Sequence, residues 1–157
     1  MSIRKILVPV DYSECSRVAL RFAAELAERY GAAADIVHVW DRPSYVTDVL
    51  LTHKDPLSGK SLVRLIEENA EHDLAEFLKG TELPHGMMAS GRLLSGDPAS
   101  ALLRELEQGQ YDMVVMGTHG RGGLTHLLLG SVAEKLTRLA RVPVLVVPDN
   151  AAKGKRS

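Results

Sequence analysis

The sequence predicts a single α/β domain built on a parallel sheet, and three observations carry that prediction. Short apolar runs recur along the chain, at residues 6–10, 36–40, 87–94, 113–116 and 142–147. Segments of helical periodicity separate them, so the order reads β-α-β-α-β-α-β-α-β. The runs themselves are short and apolar, which favours strands covered on both faces, as in parallel sheets with crossover helices. The crossovers are expected to be right-handed.

The first strand is Ile6-Leu7-Val8-Pro9-Val10. A helix follows from Ser13, a good N-cap, to Gly31, a good C′ residue. Val18, Phe22, Leu26 and Tyr30 recur every fourth residue beside Ala19, Ala23 and Ala27, which predicts one apolar face. The second strand is Ile36-Val37-His38-Val39-Trp40. Residues 41–59, with Pro43, Pro56 and Gly59, form a connection long enough to suggest a short helix or a flap. The second helix spans Lys60 to Lys79, with Leu62, Ile66, Ala70, Leu74 and Leu78 as its stripe and Gly80 as its stop. Met87 to Leu94 is a weaker third strand.

Asp97-Pro98 opens the third helix, with Asp as N-cap and Pro at the first helical position. Ala101, Leu102, Leu103 and Leu106 form its face, and Gly109 ends it. Met113-Val114-Val115-Met116 is the fourth strand. A glycine-rich loop leads to a last helix near Ser131, where Ser131 and Glu134 have capping-box spacing. Val142 to Val147 is the fifth strand, and residues 149–157 read as a polar, frayed tail.

Composition narrows the function. The chain of 157 residues is 45% apolar and 25% charged, the balance of a packed globular domain. Nineteen basic residues against twenty acidic ones argue against binding nucleic acid by bulk charge. No apolar run approaches the roughly 18 residues of a membrane helix, so no membrane insertion is expected. Met1 to Ile6 runs straight into the first strand and does not resemble a signal peptide. One cysteine, Cys15, builds no disulfide framework, which points to a reducing cytoplasm.

In open α/β sheets ligands bind beyond the carboxyl ends of the strands, where the strand order reverses. The positions to inspect are therefore Asp11 and Tyr12, Asp41 and Arg42, and Gly117-Thr118-His119-Gly120-Arg121-Gly122-Gly123. The glycines of the last segment remove side chains where a backbone can approach a ligand. The helix start at Gly130-Ser131 offers N–H groups and the positive end of a helix dipole to an anion. By glycine content alone a plain flexible loop is the commoner reading, and neither standard phosphate motif is present. Asp11 is open to several readings: ribose contact, general base, metal ligand or helix cap. Cys15 reads as a small buried residue, His38 as a core histidine, and His119 with His126 lack a third partner for zinc.

The spacing Gly117-x2-Gly120-x9-Gly130-Ser131 resembles the ATP-binding pattern of the universal stress protein family. The resemblance includes Ile6-Leu7-Val8-Pro9-Val10-Asp11, the strand end His38-Val39, Gly96-Asp97-Pro98, Val115 to Gly120, Leu129 to Ala133, and Val142 to Pro148. It implies an open five-stranded parallel sheet of order 3-2-1-4-5 with helices on both faces, an adenine-nucleotide alpha-hydrolase-like fold. It implies a nucleotide-binding domain over residues 1–148 and a nucleotide at the switch between strands one and four. It also implies a homodimer paired through the last strand, Val142 to Val147, with a higher oligomer left open.

Carried over residue by residue, the resemblance puts Pro9, Val10 and Asp11 at the adenosine end, with Asp11 near the ribose. It puts Val39 and Met116 beside adenine, and Gly117, His119, Gly120 and Arg121 along the phosphates. Gly130, Ser131 and Val132 hold phosphate oxygens, and the loop from Gly122 to Leu129 closes over the ligand. The function so implied is a cytoplasmic regulatory protein that binds ATP, with ADP or AMP as alternatives. Mg or Mn would accompany the nucleotide, a regulatory protein partner is expected, and hydrolysis would be slow at most. Two other readings remain: an adenylyl-transferring enzyme with a substrate pocket built by residues 41–59, and a nucleotide-free dimer acting as an adaptor or chaperone-like surface.

Overall fold

Five parallel strands form one sheet in the order β3-β2-β1-β4-β5. The computed structural model describes residues 2–40, 54, 59–84, 91–118 and 129–148. The elements are β1 (Lys5–Pro9), α1 (Glu14–Tyr30), β2 (Ala33–Trp40), α2 (Leu62–Lys79), β3 (Gly91–Ser95), α3 (Pro98–Gln108), β4 (Met113–Gly117), α4 (Ser131–Leu139) and β5 (Val144–Val147). β1 is central: Lys5 to Pro9 pair with Ala33 to Val37 on one side, and Ile6 and Leu7 with Met113 and Val114 on the other. The third strand is described from Gly91, and its expected first residues, 87–90, lie outside the described ones.

The alternation of side chains along each strand divides the core into two layers. Ile6, Val8, Val10, Ile36, Met113 and Val115 pack against Val18, Ala19, Ala23 and Ala27 of α1 and against Leu74 and Phe77 of α2. Leu7, Val37, Val114 and Met116 pack on the opposite side against Ala99 and Leu102 of α3 and Ala133 and Leu136 of α4. Helices therefore cover both faces, and the strands are buried on both sides.

Local signals fix the helix ends as expected. Ser13 accepts the N–H of Ser16 as the N-cap of α1, and Gly31 takes the left-handed conformation (φ 64°) behind it. Asp97 caps α3 by accepting the N–H and the hydroxyl of Ser100, with Pro98 in the first turn. Those two bonds, the hydroxyl first, hold the Asp97 carboxyl below its ordinary pKa.

Several expectations fail: α2 begins at Leu62 rather than Lys60, only Leu74 of its expected stripe is buried, together with Phe77, and β5 begins at Val144 rather than Val142. Phe22 and Tyr30 do not belong to the buried face of α1, since they are 40% and 55% exposed. At about 100° per residue, a stripe of fourth residues rotates roughly 120° between Val18 and Tyr30, away from the sheet. The Ala19-Ala23-Ala27 row lies nearer the contact line, and small side chains there let the helix sit close. The capping box at Ser131 does not form either: Gly130 is the N-cap, and among the described residues no side chain caps α4. The Gly130 carbonyl already accepts the first helical bond, from the Glu134 N–H at 2.8 Å, so Ser131 is the first helical residue and lies inside the turn.

The amino-terminal edge of the sheet is closed by a polar network. Buried Tyr111 accepts a hydrogen bond from Arg92 at 2.8 Å, and its hydroxyl lies 2.8 Å from both Asp35 and Glu105. Lys5 reaches Asp35 at 3.2 Å and lies over the Tyr111 ring. Burial, then the bonds to Asp35 and Glu105, push the Tyr111 hydroxyl well above its ordinary pKa. The Arg92 guanidinium holds the Glu105 carboxyl below its own.

Candidate nucleotide site

At the opposite, carboxyl-terminal edge the strand order reverses: β1 leads to α1 on one face, and β4 leads to α4 on the other. A cavity of about 510 Å³ opens there, within the size range of small-molecule sites. Pro9, Val10, Asp11, Val39, Met116, Gly117, Gly130, Ser131 and Val132 all line it, so nine of the expected site residues come together. His119, Gly120 and Arg121 lie outside the described residues, as do Asp41 and Arg42, most of the 41–59 connection, the loop from Gly122 up to Leu129, and the 149–157 tail.

The turn after β1 is held from several directions. Oδ1 of Asp11 accepts the Ser13 N–H at 3.1 Å and the Ser13 hydroxyl at 2.5 Å. The Asp11 N–H donates to Oγ of Ser16 at 3.4 Å. Asp11 thus orients the cap of α1 rather than capping it, while also lining the cavity. Tyr12 beside it is left-handed, with φ 67°. For a residue with a side chain that conformation costs roughly 1–2 kcal/mol.

The second wall comes from the end of β2. His38 is not a plain core histidine: it is half-buried and lines the cavity. Its Nδ1 lies 2.8 Å from the Val10 carbonyl. A carbonyl oxygen only accepts, so that nitrogen carries the proton.

The third wall is the exit of β4. The Thr118 N–H points at both the Val147 carbonyl and Sγ of Cys15, each at 3.2 Å. The Thr118 carbonyl accepts the Gly130 N–H at 2.7 Å, so the start of the glycine-rich loop is tied to its end. Gly117 is a glycine for a packing reason as well as a cavity one. A Cβ there would lie 2.8 Å from Sγ of Cys15 and 3.0–3.1 Å from its backbone carbon and oxygen. Cys15 is buried, as expected.

Sequence reasoning missed Ser16, His38, Trp40, Pro98, Leu102, Thr118 and, one residue past the expected Val132, Ala133 as lining residues. Thr118 lies inside the inspected loop and Trp40 ends the second strand, so position marked both. Pro98 and Leu102 belong to the helix after β3, a strand end not considered because it lies away from the switch. Among the described residues no group of three or more His, Cys, Asp or Glu side chains is placed to hold a metal. No described helix is long and apolar enough to cross a membrane.

Comparison with known proteins places this architecture. Residues 2–148 match the family model described as the universal stress protein family. The chain belongs to the universal stress protein family. It is 32% identical over 146 residues to the universal stress protein MJ0531 of Methanocaldococcus jannaschii, covering 92% of this chain and 81% of that one. It is 31% identical to the universal stress protein YxiE of Bacillus subtilis, covering 91% and 97%. It spans only 44% of the length of Rv2005c of Mycobacterium tuberculosis, to which it is 35% identical over 90% of its own length. Among solved structures, MJ0577 superposes with a TM-score of 0.74 at 26% identity, covering 94% of this chain and 97% of that one. A universal stress protein solved in complex with cAMP superposes at 0.60, with 23% identity and 94% and 98% covered, a likeness of fold.

Proposed function

We propose that this universal stress protein binds adenosine triphosphate in the cavity at the ends of β1, β2 and β4, and acts in the cytoplasm as a regulatory protein switched by nucleotide occupancy. The observation that carries the reading is the start of α4. Among the described residues no side chain caps it, and it opens into a cavity whose other walls include Val10, Val39 and Met116. An uncapped helix start supplies N–H donors and a positive dipole end, the requirements of a phosphate. Apolar walls suit an adenine ring, and the Asp11 carboxylate suits ribose hydroxyls.

In this reading Pro9, Val10 and Asp11 receive the nucleoside, and Val39 and Met116 flank the base. Gly117, Gly130, Ser131 and Val132 face the phosphates, joined by His119, Gly120 and Arg121 of the loop. Mg or Mn arrives with the nucleotide rather than on a protein ligand set. Occupancy, not turnover, carries the signal, and hydrolysis is slow at most. The chain works as a homodimer through β5, which among the described residues pairs on one side only, with β4. The fold is able to carry an adenine nucleotide, since relatives of this fold have been solved with cAMP and with dAMP.

Calorimetric titration with ATP, ADP and AMP tests the proposal. The Gly130→Val/Ser131→Ala variant is expected to stay folded and lose at least about tenfold in affinity, or ~1.4 kcal/mol. Failure of the wild-type chain to bind any of the three at millimolar concentration would overturn it.

A further inference from the structure

We infer that Tyr12 is a positioning residue for the ribose end of this site, converting the packing of α2 and β2 into the placement of the Asp11 carboxylate. The inference rests on the nucleotide reading above and extends it to a residue outside the cavity lining.

Four observations meet at Tyr12. Its backbone is left-handed, a conformation that a bulky residue rarely adopts and that glycine would adopt freely. Its ring stacks on His38, with centroids 4.2 Å apart and planes 25° from parallel. It also tilts against Phe77 of α2, centroids 5.4 Å apart, and its hydroxyl donates to the Ala70 carbonyl at 3.4 Å. His38 in turn is tied by Nδ1 to the Val10 carbonyl. The strained residue is thus gripped from β2 and α2, while the two residues before it are held as well, Val10 by His38 and Asp11 by Ser13 and Ser16.

Strain that is over-determined by its surroundings marks a position where geometry matters. Core filling alone does not explain it, because an aromatic ring can fill a core from ordinary backbone. The left-handed turn sends adjacent residues to different places: Tyr12 packs on the α1/α2 core layer, while Asp11 lines the cavity. Anchoring the ring anchors the turn, and the turn aims the carboxylate.

The test compares ATP with 2′,3′-dideoxy-ATP, which lacks the ribose hydroxyls, on wild type, Tyr12→Phe, Tyr12→Gly and Tyr12→Asn. Melting curves are taken in parallel. Wild type is expected to prefer ATP by roughly tenfold, the worth of about one charge-assisted hydrogen bond. Tyr12→Phe keeps the stack and should keep the preference. Tyr12→Gly keeps the backbone angle and removes the anchor; it should bring the ratio close to one while binding dideoxy-ATP about as wild type does. Should Tyr12→Gly not fold, Tyr12→Asn, which tolerates the left-handed region, serves the same comparison. A folded Gly or Asn variant with the wild-type preference overturns the inference. So does a wild type that binds both nucleotides equally, which leaves the nucleotide reading standing. A wild type that binds neither overturns that reading, and the inference with it.

Discussion

Gly117→Ala separates two reasons for a glycine at the end of β4. If the residue is small only so that a ligand can approach, alanine should weaken binding and leave the fold alone. The geometry adds a second requirement. The new methyl carbon would stand 2.8 Å from Sγ of Cys15 and 3.0–3.1 Å from the backbone carbon and oxygen of that residue. Ordinary carbon contacts lie near 3.5–4.0 Å, so the first turn of α1 must move by about half an ångström or more. Overpacking of this kind costs about 1–3 kcal/mol. Gly117 has no positive φ, so alanine also recovers about 0.4–1 kcal/mol by restricting the unfolded chain. Mid-range values leave a net loss of ~1.3 kcal/mol, or roughly 3–5 °C in Tm for a chain of this size. Urea unfolding followed by circular dichroism measures it. Adding Cys15→Ala removes the Sγ contact and leaves the two backbone contacts, so it should restore only part of the loss. A Gly117→Ala variant as stable as wild type, or more so, refutes the packing argument.

Two further predictions concern the amino-terminal edge of the sheet. Tyr111→Phe removes the hydroxyl shared by Asp35, Glu105 and Arg92 and should cost about 1–3 kcal/mol in urea unfolding, with nucleotide affinity unchanged because the cavity lies at the other end of the strands. Acid should also weaken the fold. The backbone N–H groups of Arg4 and Lys5 hold the Asp112 carboxyl below its ordinary pKa, and Arg92 does the same for Glu105. Folded values below the unfolded ones mean stability present above about pH 4 and lost as pH falls through the folded pKa values. Asp112→Asn should flatten the stability–pH curve in that acid window and leave its neutral side in shape; an unchanged acid limb would count against the assignment.

Much of this molecule was legible in one dimension because the signals involved are local. The caps at Ser13 and Asp97 and the stops at Gly31 and Gly80 depend on a few neighbouring residues, and each appears where the sequence predicted it. The order of elements then marked the ends of the first, second and fourth strands as places to look, and nine of the expected site residues do meet in one cavity. What only the folded chain decided involves residues far apart in sequence. The exposure of Phe22 and Tyr30 depends on how the turn of α1 drifts across the sheet. The identity of the α4 cap depends on where the chain arrives from Thr118, and the size of Gly117 on α1 packing behind it. The left-handed Tyr12 depends on His38 and Phe77, from two other elements. Periodicity and capping are properties of a segment, whereas close approach, stacking and strain are properties of pairs that meet only once the sheet has assembled.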